Sequence, residues 1–175
     1  EERNYKKAQK DGRRTKWHEN GQKRMEENWK DGKQDGLDTS WHRNGQKQYE
    51  ANFKDDKPDG LETEWYENGQ KQREGNHKDG KEYGLWAFWY DNGGKWSEWN
   101  YKDGKYDGLW TDWDRTGLKR GELNYKDGKL MFAEVWKPDG EKCPESNIKD
   151  WNGVWVLYDD DGTVSHRRTY KDGEL

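Results

Sequence analysis

At 175 residues the chain is long enough for one globular domain, but with 27% hydrophobic and 40% charged residues it has too little Leu, Ile, Val and Phe for a thick two-sided core. Its 33 basic and 37 acidic side chains interleave to a net charge of -4, which excludes the basic stripe that a nucleic-acid groove needs, and its single cysteine excludes an internal disulfide framework. Such a composition would suit a disordered chain, except that 13 tryptophans recur in register.

The register has a period of 24 residues, and numbering each repeat from its asparagine gives starts at Asn4, Asn28, Asn52, Asn76, Asn100, Asn124 and Asn147. The whole chain, 1–175, therefore reads as one repeat domain with repeats 4–27, 28–51, 52–75, 76–99, 100–123, 124–146 and 147–168, and a partial one over 169–175. The absence of an initial Met and the ending inside a repeat fit a segment of a longer array. No apolar run reaches membrane-spanning length, so the chain reads as soluble, either cytoplasmic or exported after removal of a signal that the sequence does not contain.

Position 14 of each repeat is an aromatic row: Trp17, Trp41, Trp65, Trp89, Trp113, Trp136 and Tyr158. Four residues later stand Gly21, Gly45, Gly69, Gly93, Gly117, Gly140 and Gly162, usually after Asn or Asp, as a turn with a left-handed residue requires. Leu61, Thr63 and Trp65 alternate with Glu62 and Glu64, which is the period of a strand. Each repeat is thus expected to be two short strands around the Asn-Gly turn, with the Lys-Asp-Gly segment as a loop leading onward. A three-residue turn, Glu67-Asn68-Gly69, sets Trp65 opposite Lys71. If pairing then continues without interruption, the aromatic second positions (Tyr5, Trp29, Phe53, Tyr101, Tyr125, Tyr170) join the Trp row on one face. The fold class is all-β: serial antiparallel hairpins in an elongated, twisted single sheet without substantial helix.

These landmarks, Asn100-Tyr101-Lys102-Asp103-Gly104-Lys105-Tyr106-Asp107-Gly108-Leu109-Trp110 followed by Trp113 and Gly117, resemble the variant MORN repeat of bacterial YwqK-type antitoxin proteins. The resemblance implies serial β-hairpins, an interaction or scaffold role, and, in the antitoxin type, neutralisation of a partner protein. Met131 and Trp151-Asn152-Gly153 depart from the pattern, which marks the C-terminal third as a cap or a separate contact surface.

One local feature stands out from the periodic background. Trp86, Phe88, Tyr90, Trp96 and Trp110 lie on the face that points away from the Trp89 row, where the second repeat has Asp38, Ser40, His42 and Gln48. A change from polar to aromatic residues on one patch is the mark of an interface or a sugar-stacking platform. These five are the candidate partner-binding residues; the partner is a protein or a second copy, with a glycan-binding module and a structural spacer as alternatives. No nucleic acid is expected, because Glu62, Glu64, Glu67 and Glu74 share the strands with the lysines.

No catalytic residue, cofactor or metal site is expected. Acidic turns such as Asp55-Asp56-Lys57-Pro58-Asp59 are interrupted by lysine and lack the helix of a calcium-binding hand. His18 and His42 fall one repeat apart, too far to share a zinc ion. Cys143 has no histidine in its own repeat to activate it.

Overall fold

A computed structural model describes residues 5–6, 9–159 and 161–175. Among them there is no helix, and every regular element is an antiparallel strand. The chain forms two compact units, one up to Tyr83 and one from Gly84 onward.

The N-terminal unit begins with a two-stranded pair, β1 (Tyr5–Lys6) and β2 (Gln9–Lys10). A meander follows: β3 (Gly12–Trp17), β4 (Lys23–Lys30), β5 (Lys33–Gln34), β6 (Gly36–Trp41), β7 (Lys47–Lys54), β8 (Lys57–Trp65) and β9 (Lys71–Lys78). The C-terminal unit has β10 (Lys81–Trp89) from Gly84 onward, β11 (Lys95–Lys102), β12 (Lys105–Trp113), β13 (Lys119–Lys126) and β14 (Lys129–Val135) paired in chain order, then a separate hairpin of β15 (Gly153–Tyr158) and β16 (Val164–Tyr170).

Two turns alternate. At the Asn-Gly turn, the Gly69 N–H donates to Tyr66 O at 2.9 Å and Tyr66 N–H donates to Gln70 O at 2.9 Å, enclosing Glu67-Asn68-Gly69. Gly69 has φ +83°, and a Cβ there would lie 2.7 Å from Gln46 Oε1. The other turn is Lys-Asp-Gly-Lys. It is a hairpin turn in its own right, with Lys102 opposite Lys105 and positive φ at both Asp103 and Gly104. This corrects the expectation of a loop: two consecutive left-handed residues match the twist of the flanking strands, so the chain reverses there and stays in the sheet.

Trp65 does pair with Lys71, as the three-residue turn requires. The pairing then shifts, because Gln72 bulges out and Glu64 faces Arg73, Thr63 faces Glu74 and Gly60 faces His77. The same shift follows Trp17, Trp41, Trp89 and Trp113. One extra residue inverts the face of everything beyond it. From Trp29 onward the second-position aromatics therefore leave the Trp row, which corrects the uninterrupted pairing (the Tyr5 side chain lies outside the described residues), and in the C-terminal unit Tyr101 lies with Trp86, their ring centroids 6.3 Å apart.

After the exposed Trp17, the Trp row is instead a half-buried stripe sewn to the preceding repeat. Lys23 Nζ sits 5.5 Å from the ring centre of Trp41, Lys47 Nζ 5.6 Å from that of Trp65, and Lys95 Nζ 5.7 Å from that of Trp113. These lysines also pair with Glu26, Glu50 and Glu98, roofing the buried threonines Thr15, Thr39, Thr63 and Thr111. The aliphatic core lies in the C-terminal unit, where Leu123, Leu130, Ala133 and Ile148 are buried with Trp155 and Tyr170 against them, and Cys143 packs with Val135 and Val156.

Candidate functional site

In the C-terminal unit the face opposite the Trp row is a continuous layer of rings, built by alternation along β10, β11 and β12. Trp86 and Trp99 are register partners, as are Trp99 and Trp110. Trp99 is the hub, its ring centroid 4.2 Å from that of Phe88, 4.6 Å from Trp110 and 5.8 Å from Tyr106. Tyr106 in turn lies 4.8 Å from Tyr101 and 5.3 Å from Tyr125. Burying one such ring contributes about 1.5–3 kcal/mol, so this layer carries much of what the sparse aliphatic composition lacks.

The five sequence candidates are brought together unequally. Trp86 and Phe88 are buried within the layer, 4% and 8% exposed. Tyr90 donates its hydroxyl to Trp113 O at 2.9 Å, the place taken in earlier repeats by His18 Nε2 on Trp41 O and His42 Nε2 on Trp65 O. Trp96 is the residue extruded by the bulge between Phe88–Ser97 and Trp89–Lys95; its ring meets Phe88 edge-on at 5.9 Å and Tyr90 at 6.2 Å, yet it stays 45% exposed. Trp110 is half-buried and joins the other four through Trp99.

Sequence reasoning missed Trp99 and Asp112. Trp99 occupies the last position of its repeat, where earlier repeats have Glu27, Ala51 and Gly75, so its departure from a small or polar residue was the available signal. Asp112 ends a polar chain beneath the rings: Trp99 Nε1–H donates to Ser97 Oγ, Ser97 Oγ–H donates to Asp112 Oδ1, and Trp110 Nε1–H donates to the same oxygen at 2.7 Å. Burial pushes the Asp112 carboxyl above its ordinary range, although both hydrogen bonds pull the other way. A cleft of about 330 Å³ opens here, lined by Tyr90, Trp96, Trp99, Trp110, Asp112, Trp113, Asp114, Arg120, Val135, Trp136, Leu157 and Tyr158.

In the N-terminal unit the corresponding positions are ionisable rather than aromatic. Glu62 is 5% exposed, with Arg73 at 2.8 Å and His77 at 3.6 Å; burial nevertheless raises its pKa, outweighing the guanidinium and the imidazole beside it. Asp38, 8% exposed, accepts from Gln34 Nε2 at 2.8 Å through Oδ2, while its Oδ1 is buried without a hydrogen bond among the described residues. Burial first, and the nearby Glu27 second, push its pKa up to about 6, against Gln34 and Lys16.

That shift has a sign. A carboxyl whose pKa is raised on folding favours the folded state when protonated, so its contribution is full below about pH 4 and is lost as the pH rises through about 6. Asp38→Asn is expected to stabilise the protein by about 2 kcal/mol at neutral pH and by little near pH 4. Asp55, Asp107 and Asp114 are held below their ordinary values and act in the opposite direction, so the informative quantity is the difference between wild type and variant in urea unfolding at the two pH values. An equal difference at both would contradict the burial argument.

Among the described residues no group of three His, Cys, Asp or Glu is placed to hold a metal ion. The acidic turns serve the backbone instead: Asp31, Asp55, Asp79, Asp103 and Asp127 hold positive φ, and Asp56 Oδ1 accepts from Gln34 N–H at 2.7 Å.

Strands joined alternately by Asp-Gly and Asn-Gly turns, with side chains reaching across to the following copy, define a serial β-hairpin repeat protein. The MORN repeat variant family matches four stretches, residues 10–31, 34–55, 58–79 and 82–103, together just over half of the sequence. The chain belongs to that family of non-catalytic repeat modules, which is consistent with an interaction or scaffold role. Comparison with curated proteins gave no match.

Proposed function

We propose that this chain binds a protein partner through the ring face of its C-terminal unit, with Trp96 as the exposed contact, Tyr90 and Trp110 beside it, and Trp86 and Phe88 as the buried support that fixes their positions. The observation behind this reading is Trp96 itself, an indole left 45% exposed in a layer whose other members are largely covered. A large aromatic held rigidly by its neighbours loses little freedom on binding, which is the property of an interface anchor. The partner occupies the surface and no chemistry follows. In its finer form, neutralisation of a toxic partner in the manner of YwqK-type antitoxins, the reading rests on the sequence resemblance alone.

The test is capture of a partner from a native lysate by the wild type, by Trp96→Ala, and by Leu61→Ala as an exposed apolar control on the other face of the N-terminal unit. The expected outcome is loss of the captured protein with Trp96→Ala only, at unchanged thermal stability. Equal capture by all three would remove the ring face from consideration. The exposed indole also suits the flat face of a sugar. Saturable binding of a soluble glycan by the wild type and not by Trp96→Ala would favour a carbohydrate-binding module over a protein interface.

A further inference from the structure

The cleft beside Trp96 has a chemistry of its own, distinct from a flat contact surface. Its aromatic wall comes from Trp96, Trp99, Trp110 and Tyr90. Trp99 and Trp110 engage their N–H groups with Ser97 and Asp112, and Tyr90 engages its hydroxyl with Trp113 O. The Tyr90 ring already has the Arg115 guanidinium 4.9 Å from its centre, whereas what Trp99 and Trp110 leave for a ligand is π surface, which carries negative potential. Asp112 reinforces that sign. Its Oδ1 accepts both hydrogen bonds, and its Oδ2 makes none among the described residues.

The cationic side chain in the lining is already engaged. Arg120 lies 3.7 Å from Asp114 Oδ2 and donates to Tyr158 O at 3.3 Å. Of the lining residues two carry carboxyl groups and one a guanidinium, while Arg115, Lys95, Lys119 and Lys142 lie over the lining rings of Tyr90, Trp113 and Trp136; the volume of about 330 Å³ suits a side-chain-sized ligand.

We infer that this cleft is a binding site for an alkylammonium group, with the cation against the Trp96, Trp99 and Trp110 rings and its N–H donated to Asp112 Oδ2. A bound cation supplies the counter-charge that a carboxylate beneath aromatic rings lacks, and it displaces water from π surface that gains little from hydration. The same group arrives on a free amine or on a lysine side chain of a polypeptide. The inference does not depend on partner capture, because the site is defined by the chemistry of its ligand.

The experiment is a titration of the whole chain with n-butylammonium chloride and, separately, with a doubly blocked lysine, followed by the indole N–H resonances of Trp99 and Trp110 at constant ionic strength. Saturable shifts at these two indoles are expected with one or both probes, and the tighter probe identifies the source. Asp112→Asn keeps an oxygen to accept from Ser97 and Trp110 but removes the charge, and should weaken binding about tenfold or more. Trp96→Ala, at an exposed position, should weaken it with the fold intact. Absence of saturation with both ammonium probes, equal shifts with butanol or methyl glucoside, or unchanged affinity in Asp112→Asn would each overturn the assignment.

Discussion

Replacing Trp86 with alanine is expected to lower the unfolding free energy by about 3–5 kcal/mol, whereas Trp96→Ala should cost less than about 1 kcal/mol. The two tryptophans belong to the same aromatic patch in the sequence, and the register separates them. Trp86 is paired within β10 and β11, is 4% exposed, and touches Phe88 and Tyr101 at 6.4 and 6.3 Å between ring centroids. Deleting its indole leaves a void between strands held in place by their ladders, so the surroundings cannot collapse to fill it. Trp96, extruded by the bulge, loses an edge contact with Phe88, a tilted one with Tyr90 and little else. Urea unfolding of both variants measures the difference directly. Equal costs would mean that the ring face is uniformly open or uniformly closed.

The second large effect is expected at Gly153, where alanine should cost about 3 kcal/mol. This residue opens β15 with φ +140°, and a Cβ would stand 2.5 Å from Asn147 O and 2.9 Å from Ile148 Cα. Both obstacles are backbone, and Asn147 is fixed by its N–H donating to Val154 O at 2.9 Å and by its Oδ1 accepting from Val154 N–H at 3.0 Å. No rotamer change relieves the contact. Gly162→Ala is the matched control: it has φ +86° but nothing within 4 Å of the added methyl group, so only the conformational cost of about 1 kcal/mol applies. Thermal unfolding of the pair separates the steric contribution from the dihedral one, and similar losses would contradict the close approach.

Much of this architecture is legible in the sequence because its determinants are local. Alternation in Leu61-Glu62-Thr63-Glu64-Trp65 specifies a strand, and Asn68-Gly69 specifies the reversal, so hairpins and their order follow from composition within a few residues. The patch at Trp86, Phe88, Tyr90, Trp96 and Trp110 is visible for the same reason, as a departure from Asp38, Ser40, His42 and Gln48 in a repeating frame.

The bulge is what the sequence conceals. Gln72 and Trp96 occupy the same slot in successive repeats, and neither carries a mark of being unpaired. Without that residue the position of Tyr101 inverts, and its contacts with Trp86, Trp99 and Tyr106 cannot be anticipated. Asp112 was hidden differently. A carboxylate in a chain this rich in charge reads as solvent-facing until Trp99 and Trp110 are known to lie over it.

The ring face depends on that inversion, so the most direct measurement is the set of nuclear Overhauser contacts of the Tyr101 ring. Cross-peaks from Tyr101 to the rings of Trp86 and Tyr106 are predicted, from centroid distances of 6.3 and 4.8 Å. Contacts from Tyr101 to the side chains of Leu109 and Thr111 instead would place it with the tryptophan row and contradict the account.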